Sequence, residues 1–205
     1  MNTAAGTEKK SEMEILLTRV FYITVFTFMT AASAFIKIPM YPVPITLQTL
    51  FVLLAANILG KKDGTISQLL YLMGGLSGMP IFANGGGPGY IFQPSFGYLI
   101  GFAPAVYFTG IMVEKIDYKN YKEAFILLLT SNLIGLAIIY IFGLSYLYIC
   151  INFLIKNSIT IYQVIFSGFI IFIPGVIIKL FAASFITIWF KKRGSYPFSG
   201  KPYKI

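Results

Sequence analysis

Histidine is absent from the 205-residue sequence, and cysteine and acidic residues are rare. Without histidine, no histidine zinc site, serine–histidine pair or histidine proton relay can form. The single cysteine, Cys150, excludes an internal disulfide. All acidic residues lie in the N-terminal tail or in predicted loops: Glu8, Glu12, Glu14, Asp63, Glu114, Asp117 and Glu123. No carboxylate pair is therefore expected inside an apolar segment, which argues against an enzyme; we also predict no metal site and no cofactor.

Charged residues of both signs are few, at 11% of the sequence, whereas 57% of the residues are hydrophobic and the mean hydropathy is +0.79. A soluble domain is about a quarter charged. The composition predicts an all-α integral membrane protein, because each transmembrane helix needs ~20 apolar residues and several such segments are present. We expect a disordered tail at 1–14, a domain of six transmembrane helices at 15–193 and a second tail at 194–205. The segment Gly60-Lys61-Lys62-Asp63-Gly64 predicts a polar turn between two of the helices, and Gly97 and Gly101 form a GxxxG pair that allows another helix to approach closely.

Lysine and arginine are distributed unevenly along this predicted bundle. With both termini cytoplasmic, all but three of the 16 basic residues fall on the cytoplasmic side. Lys37 and Lys156 lie outside, and Lys179 lies within the last span. The positive-inside rule favours this orientation. This orientation explains the net charge of +9, because the basic residues lie on the cytoplasmic side of a lipid bilayer. No nucleic-acid partner is therefore expected.

Two unusual segments fall on the predicted outer side. Three prolines between positions 38 and 44 exclude a continuous helix there. The glycine-rich loop 81–94 lacks the lysine and the preceding strand of a P-loop, so the chain is not expected to use ATP in that manner. This loop is either a flexible connector or a lid that carries aromatic and amide groups.

Lys179 is the one ionisable side chain in the interior of a predicted span. Burying a cation there costs at least about 2.5–3.5 kcal/mol, and such residues usually face a cavity or a partner. Snorkelling to a surface is the alternative, although Lys179 lies more than a turn from either predicted end of its helix. We expect a small anionic ligand from outside to supply the missing counter-charge. Candidate ligand-binding residues are Lys179, Asn84, Gln48, Tyr98, Thr46, Phe92 and Gln93.

Small and polar residues are concentrated in the second half of the first span, at Thr27, Thr30, Ala31 and Ala34. Such a face allows another helix to approach closely. It indicates either packing within this chain or docking of a separate membrane subunit. A cleaved signal peptide ending near Ala34 is a competing interpretation, but the preceding apolar stretch is long for one.

The string Pro42-Val43-Pro44-Ile45-Thr46-Leu47-Gln48 resembles the signature of BioY, the biotin-binding S component of energy-coupling-factor (ECF) vitamin transporters. Further similar stretches occur at 71–83, 94–102 and 173–179. The resemblance implies six helices, an outward-facing biotin site and no activity on ATP. It further implies a bacterial plasma-membrane location and docking of the first helix onto a transmembrane coupling subunit that works with ABC-type ATPases. Self-association is the alternative if the protein acts alone.

One position departs from the family pattern. The last helix of the family commonly reads Pro-Gly-Asp-x-x-Lys, and here Val176 occupies the position of the acid while Lys179 is kept. Val176 therefore joins the candidate site, and its effect on affinity and specificity stays open. The remaining alternatives are an S component for another small anionic nutrient and a membrane assembly subunit without a ligand.

Overall fold

A computed structural model describes residues 2–193, with side chains from residue 12 onwards. The helices and strands are α1 (Asn2–Ala34), β1 (Lys37–Ile38), β2 (Ile45–Thr46), α2 (Gln48–Leu76), α3 (Phe96–Val113), α4 (Tyr121–Ile149), α5 (Ile161–Gly168) and α6 (Ile173–Lys192). Single helical turns cover Pro88–Phe92, Cys150–Leu154 and Ile170–Phe172. The backbone is helical from Asn2, where a disordered tail was predicted; the predicted tail at 194–205 lies outside the described residues.

Within the described part of the chain, four helical segments are long and apolar enough to cross a membrane: Glu12–Ala34, Phe96–Val113, Tyr121–Leu154 and Ile161–Lys192. The predicted all-α membrane class is confirmed at this level. Helix α2 is not among the four, although it is as long as α4. The reason is the polar sequence Lys61-Lys62-Asp63, which interrupts its apolar residues near the middle.

Helix α2 is broken at Gly60, at the turn that the sequence predicted between two helices. Gly60 has φ +75° and ψ −171°, a conformation that favours glycine. The second arm begins directly after it, so the polar residues 61–64 are helical rather than a loop. Glu114 accepts a hydrogen bond from the backbone N–H of Lys61 at 2.9 Å and pairs with the Lys61 ammonium at 3.1 Å. The carboxylate thereby satisfies a free donor at the start of this arm.

Helices α3 and α4 form one of the two most extensive interfaces of the bundle, together with α2 and α3. A Cβ atom added to Gly97 would lie 2.2 Å from the Cβ of Tyr146, and one added to Gly101 would lie 3.0 Å from the Cα of Ile139. Only glycine permits this approach at Gly97. The predicted close contact across Gly97 and Gly101 is confirmed, and its partner is α4.

The small-residue face of α1 packs against α2 of the same chain. Thr30, Ala31 and Ala34 are buried, the Thr27 hydroxyl donates to the Ser67 carbonyl at 3.0 Å, and the Gln68 amide donates to the Thr30 hydroxyl at 3.4 Å. The arrangement is internal packing, the first of the two interpretations of this face. In this conformation the four residues do not form an exposed docking surface.

Helix α6 is held in place by buried amide–hydroxyl hydrogen bonds. The Asn57 side chain of α2 donates to the Thr187 hydroxyl, and the Asn132 side chain of α4 donates to the Ser184 hydroxyl, each at 3.1 Å. All four side chains are fully buried. Inside a bundle such bonds determine the rotation of a helix, because any other rotation leaves polar groups unpaired. This rotation turns Lys179 towards the hairpin formed by β1 and β2.

Candidate functional site

Lys179 is buried at the junction of α6, the hairpin and α2, with an exposed fraction of 8%. Its ammonium donates to the Thr46 carbonyl oxygen at 2.7 Å and to the Thr49 hydroxyl at 3.1 Å. Both acceptors are neutral, and within residues 12–193 no carboxylate forms an ion pair with Lys179. An ammonium has three donors, so one N–H and the positive charge remain available to a ligand.

A cavity of about 50 Å³ lies beside Lys179. Its apolar lining includes Val43 and Pro44 of the hairpin loop and Leu99 and Phe102 of α3. Four of the predicted site residues also line it, namely Lys179, Gln48, Thr46 and Tyr98. The proline-rich segment, the glycine loop and the N-terminal half of α6 therefore meet around one cavity.

Gln48 is held at the cavity wall by a chain of hydrogen bonds. Its carbonyl oxygen accepts from the Thr46 hydroxyl at 2.9 Å, and its amide donates to the Tyr71 hydroxyl at 2.6 Å. The Tyr71 hydroxyl in turn donates to the Ile81 carbonyl at 3.2 Å. The chain links the hairpin, α2 and the glycine loop, and it leaves the second amide hydrogen of Gln48 for a ligand.

Aromatic rings from three elements form a second wall. Tyr98 of α3 stacks on Phe172 with ring centroids 6.4 Å apart and an interplanar angle of 15°, and Tyr140 of α4 meets Tyr98 edge-on at 5.8 Å. The Tyr98 hydroxyl donates to the Gly168 carbonyl at 2.9 Å. Tyr98 therefore presents its ring to the cavity while its hydroxyl is engaged with the backbone.

The other four predicted site residues do not line the cavity. Asn84 is exposed on the glycine loop and accepts a hydrogen bond from Lys37 at 3.1 Å, whereas its neighbour Ala83 does line the cavity. Phe92 (58% exposed) and Gln93 lie on the outer surface of the same loop. Val176 is partly buried and packs against the apolar core.

Lys37 connects the two loops that flank the cavity. It belongs to β1, which pairs with β2 in the register Lys37 to Thr46. Its ammonium donates to the Ala83 carbonyl and to the Asn84 side chain. We call this set of contacts the Lys37 clasp. It ties the glycine loop to the hairpin at the mouth of the cavity.

Several cavity residues were not among the candidate ligand-binding residues: Thr49, Tyr90, Ser95, Tyr140 and Phe172. Thr49 had a usable signal, because it is a polar residue in the first turn of the helix that follows the proline-rich segment. Tyr140 and Phe172 had none, since an aromatic residue in an apolar segment is equally compatible with lipid contact and with ordinary packing.

Comparisons with known proteins agree with this arrangement. The sequence matches the BioY family over residues 6–195. The chain belongs to this family. Its relatives include the probable biotin transporter BioY of Lysinibacillus sphaericus, 43% identical over 148 residues that cover 72% of this chain and 74% of that protein. The biotin transporter BioY of Thermotoga maritima is 39% identical over 169 residues, covering 82% and 92% of the two chains.

A solved structure shares the fold of this member of the family. The crystal structure of the S-component for biotin from an ECF-type ABC transporter superposes with a TM-score of 0.73 and 26% identity, and the alignment covers 96% of this chain and 97% of that one. The family resemblance predicted from the proline-rich segment is confirmed.

Proposed function

We propose that the protein binds biotin at the outer side of a bacterial plasma membrane and serves as the substrate-specific S component of an ECF-type transporter. The observation that carries the proposal is the buried Lys179 ammonium, which lines a cavity and has only neutral hydrogen-bond partners. The names of the family's relatives identify biotin as the ligand to test.

The chemistry of the cavity suits this ligand. Biotin combines an apolar bicyclic ring, a cyclic urea and a carboxylate. The aromatic wall provides a surface for the ring, while Lys179 and Gln48 provide donors for oxygen atoms of the urea or the carboxylate. A mostly apolar pocket with a few convergent polar groups is the usual form of a small-molecule site.

The cavity must enlarge to admit the vitamin. Its volume of about 50 Å³ is enough for a few water molecules, whereas ligand pockets span roughly 300–1,000 Å³. The glycine loop is the segment best suited to move, because it contains no helix longer than one turn; its opening would break the Lys37 clasp. Asn84, Phe92 and Gln93 lie on this loop, and we propose that they approach the ligand when it closes.

The membrane arrangement follows from the helices and the charge distribution. We propose six membrane helices, namely α1, the two arms of α2, α3, α4 and α6, with both termini cytoplasmic. Transport would require an ECF coupling subunit and ATPase subunits, or self-association if the protein acts alone. Because the small-residue face of α1 is occupied by α2, a coupling subunit would contact other faces of the bundle in this conformation.

Biotin titration of the purified protein in lipid nanodiscs tests the proposal. The Lys179→Met variant keeps the length of the side chain and removes its charge and donors, and we expect a loss of biotin affinity of at least about thirtyfold, since truncating a buried charged partner costs 2–5 kcal/mol or more. Lys156→Met is the matched control, because Lys156 is an exposed lysine outside the cavity. Equal affinities of the wild type and Lys179→Met would refute the proposed site.

A different small anionic nutrient is a second candidate ligand, and Val176 is the observation that favours it, because an apolar residue replaces the acid of the family pattern. In a competition panel of carboxylate vitamins, displacement of bound ligand by another vitamin but not by biotin would support it. A protein that binds none of them would instead be an assembly subunit.

A further inference from the structure

Six side-chain hydroxyls line the cavity, and five of them have hydrogen-bond partners. Thr46 donates to Gln48 and Thr49 accepts from Lys179. Tyr90 and Ser95 bond to each other at 3.2 Å, and Tyr98 donates to the Gly168 carbonyl. The sixth hydroxyl belongs to Tyr140, which forms no hydrogen bond with any residue that the structure describes.

The Tyr140 ring is fixed in orientation by its neighbours. It packs edge-on against three aromatic rings, with centroids 5.8 Å from Tyr98, 5.0 Å from Phe169 and 6.3 Å from Phe172. The residue is only 7% exposed. Such a ring cannot rotate its hydroxyl to a new partner without breaking several edge-to-face contacts.

The Tyr140 hydroxyl nevertheless keeps access to open space. It is not one of the unpaired polar atoms that are sealed inside the protein, a group that includes the Asn57 and Asn132 carbonyl oxygens. Tyr140 lines the cavity, so a ligand bound there would contact this side chain. A buried hydroxyl without a partner is costly, and a ligand in the cavity would remove that cost by taking its hydrogen bond.

We propose that Tyr140 is a specificity-determining residue whose hydroxyl hydrogen-bonds a polar group of the bound ligand. The inference rests on the proposed function, because it assumes that the cavity holds biotin. A phenol can donate to a carbonyl or carboxylate oxygen and can accept from an N–H. Sites built to hydrogen-bond a ligand group reject analogues that lack it, so Tyr140 adds selectivity to the charge attraction of Lys179.

The test compares Tyr140→Phe with the wild type in nanodiscs, with biotin, biotin methyl ester and 2-iminobiotin as probes. The variant removes one oxygen atom and preserves the ring contacts. We expect biotin affinity to fall about tenfold, as for loss of one buried hydrogen bond. The selectivity for biotin over one of the analogues should fall by a similar factor, and that analogue identifies the contacted group. Tyr162→Phe is the matched control, since Tyr162 is 73% exposed on α5.

The possible results distinguish a failure of the role proposed for Tyr140 from a failure of the proposed function. If the wild type binds biotin and Tyr140→Phe has the same affinity and selectivity as the wild type, the role of Tyr140 is refuted. The proposed function would still stand. A wild type that binds no biotin would refute both. If Tyr140→Phe lowers the thermal midpoint, partial unfolding lowers the affinity for every probe equally, so the selectivity ratio still reports the contact.

Discussion

The close approach of α3 and α4 predicts a large effect of one added methyl group. In Gly97→Ala the new Cβ would lie 2.2 Å from the Tyr146 Cβ and 2.7 Å from the Phe142 carbonyl oxygen. Since carbon atoms pack at about 3.5–4.0 Å, α4 must move by more than 1 Å. Overpacking of this kind costs about 1–3 kcal/mol, and the contact with a backbone atom places Gly97→Ala at the upper end.

The higher helix propensity of alanine offsets about 1 kcal/mol of that cost. The net destabilisation is therefore about 2 kcal/mol, which corresponds to a thermal midpoint lower by about 4–8 °C for a chain of this size. Biotin affinity should fall as well, because α3 and α4 carry Tyr98 and Tyr140. Thermal unfolding of the purified protein, followed by intrinsic fluorescence or by aggregation in detergent, measures the shift.

Two other glycine-to-alanine variants serve as comparisons for this prediction. Gly101→Ala places its Cβ 3.0 Å from the Ile139 Cα and should have a smaller effect, whereas Gly89→Ala meets nothing within 4 Å and should leave the midpoint within about 2 °C of the wild type. An equal midpoint for Gly97→Ala and Gly89→Ala would contradict the packing of α3 against α4.

Two further variants test other contacts. Lys37→Met removes the Lys37 clasp and should speed the dissociation of radiolabelled biotin several-fold, with Lys156→Met as the control; unchanged dissociation would show that the clasp does not restrain the glycine loop. Arg19→Met leaves the buried Asp63 carboxylate without the Arg19 guanidinium that it contacts at 2.6 and 3.0 Å, which should cost about 3 kcal/mol in stability. Adding Asp63→Asn should restore most of the thermal midpoint, and failure to do so would show that the pair is not the source of the loss.

Predictions from the sequence were reliable where a single residue type imposes a specific conformational or energetic requirement. The break at Gly60 was predicted because a polar segment with a glycine at each edge follows an apolar helix, and the structure places a positive φ at Gly60. The approach at Gly97 and Gly101 followed from the spacing of two small residues. The cavity position of Lys179 followed from the cost of burying a cation without a counter-charge.

Predictions were less successful where the outcome depends on which element packs against a given residue or helix face. The sequence allowed the small face of α1 to serve internal packing or docking of a subunit, and only the structure shows that this face contacts α2. Asn84 was expected at the cavity, but Lys37 holds its side chain at the mouth, and Ala83 takes the place at the wall. The sequence does not specify which conformation the glycine-rich loop adopts, because glycine permits many backbone conformations of similar energy.

The sequence by itself determined the membrane class, the family and the residues that bring charge and amides to one end of the bundle, because composition, proline positions and a buried lysine each have a direct energetic meaning. Only the tertiary structure decided which side chains share the cavity and which hydroxyl is left unpaired. Lys179 is more than 130 residues away from Thr46 and Gln48 in the chain, and it meets them through the rotation of α6, which the Asn57 and Asn132 hydrogen bonds determine. The unpaired hydroxyl of Tyr140 is a consequence of the same packing, since each of the other cavity hydroxyls has a hydrogen-bond partner and this one bonds to none of the described residues.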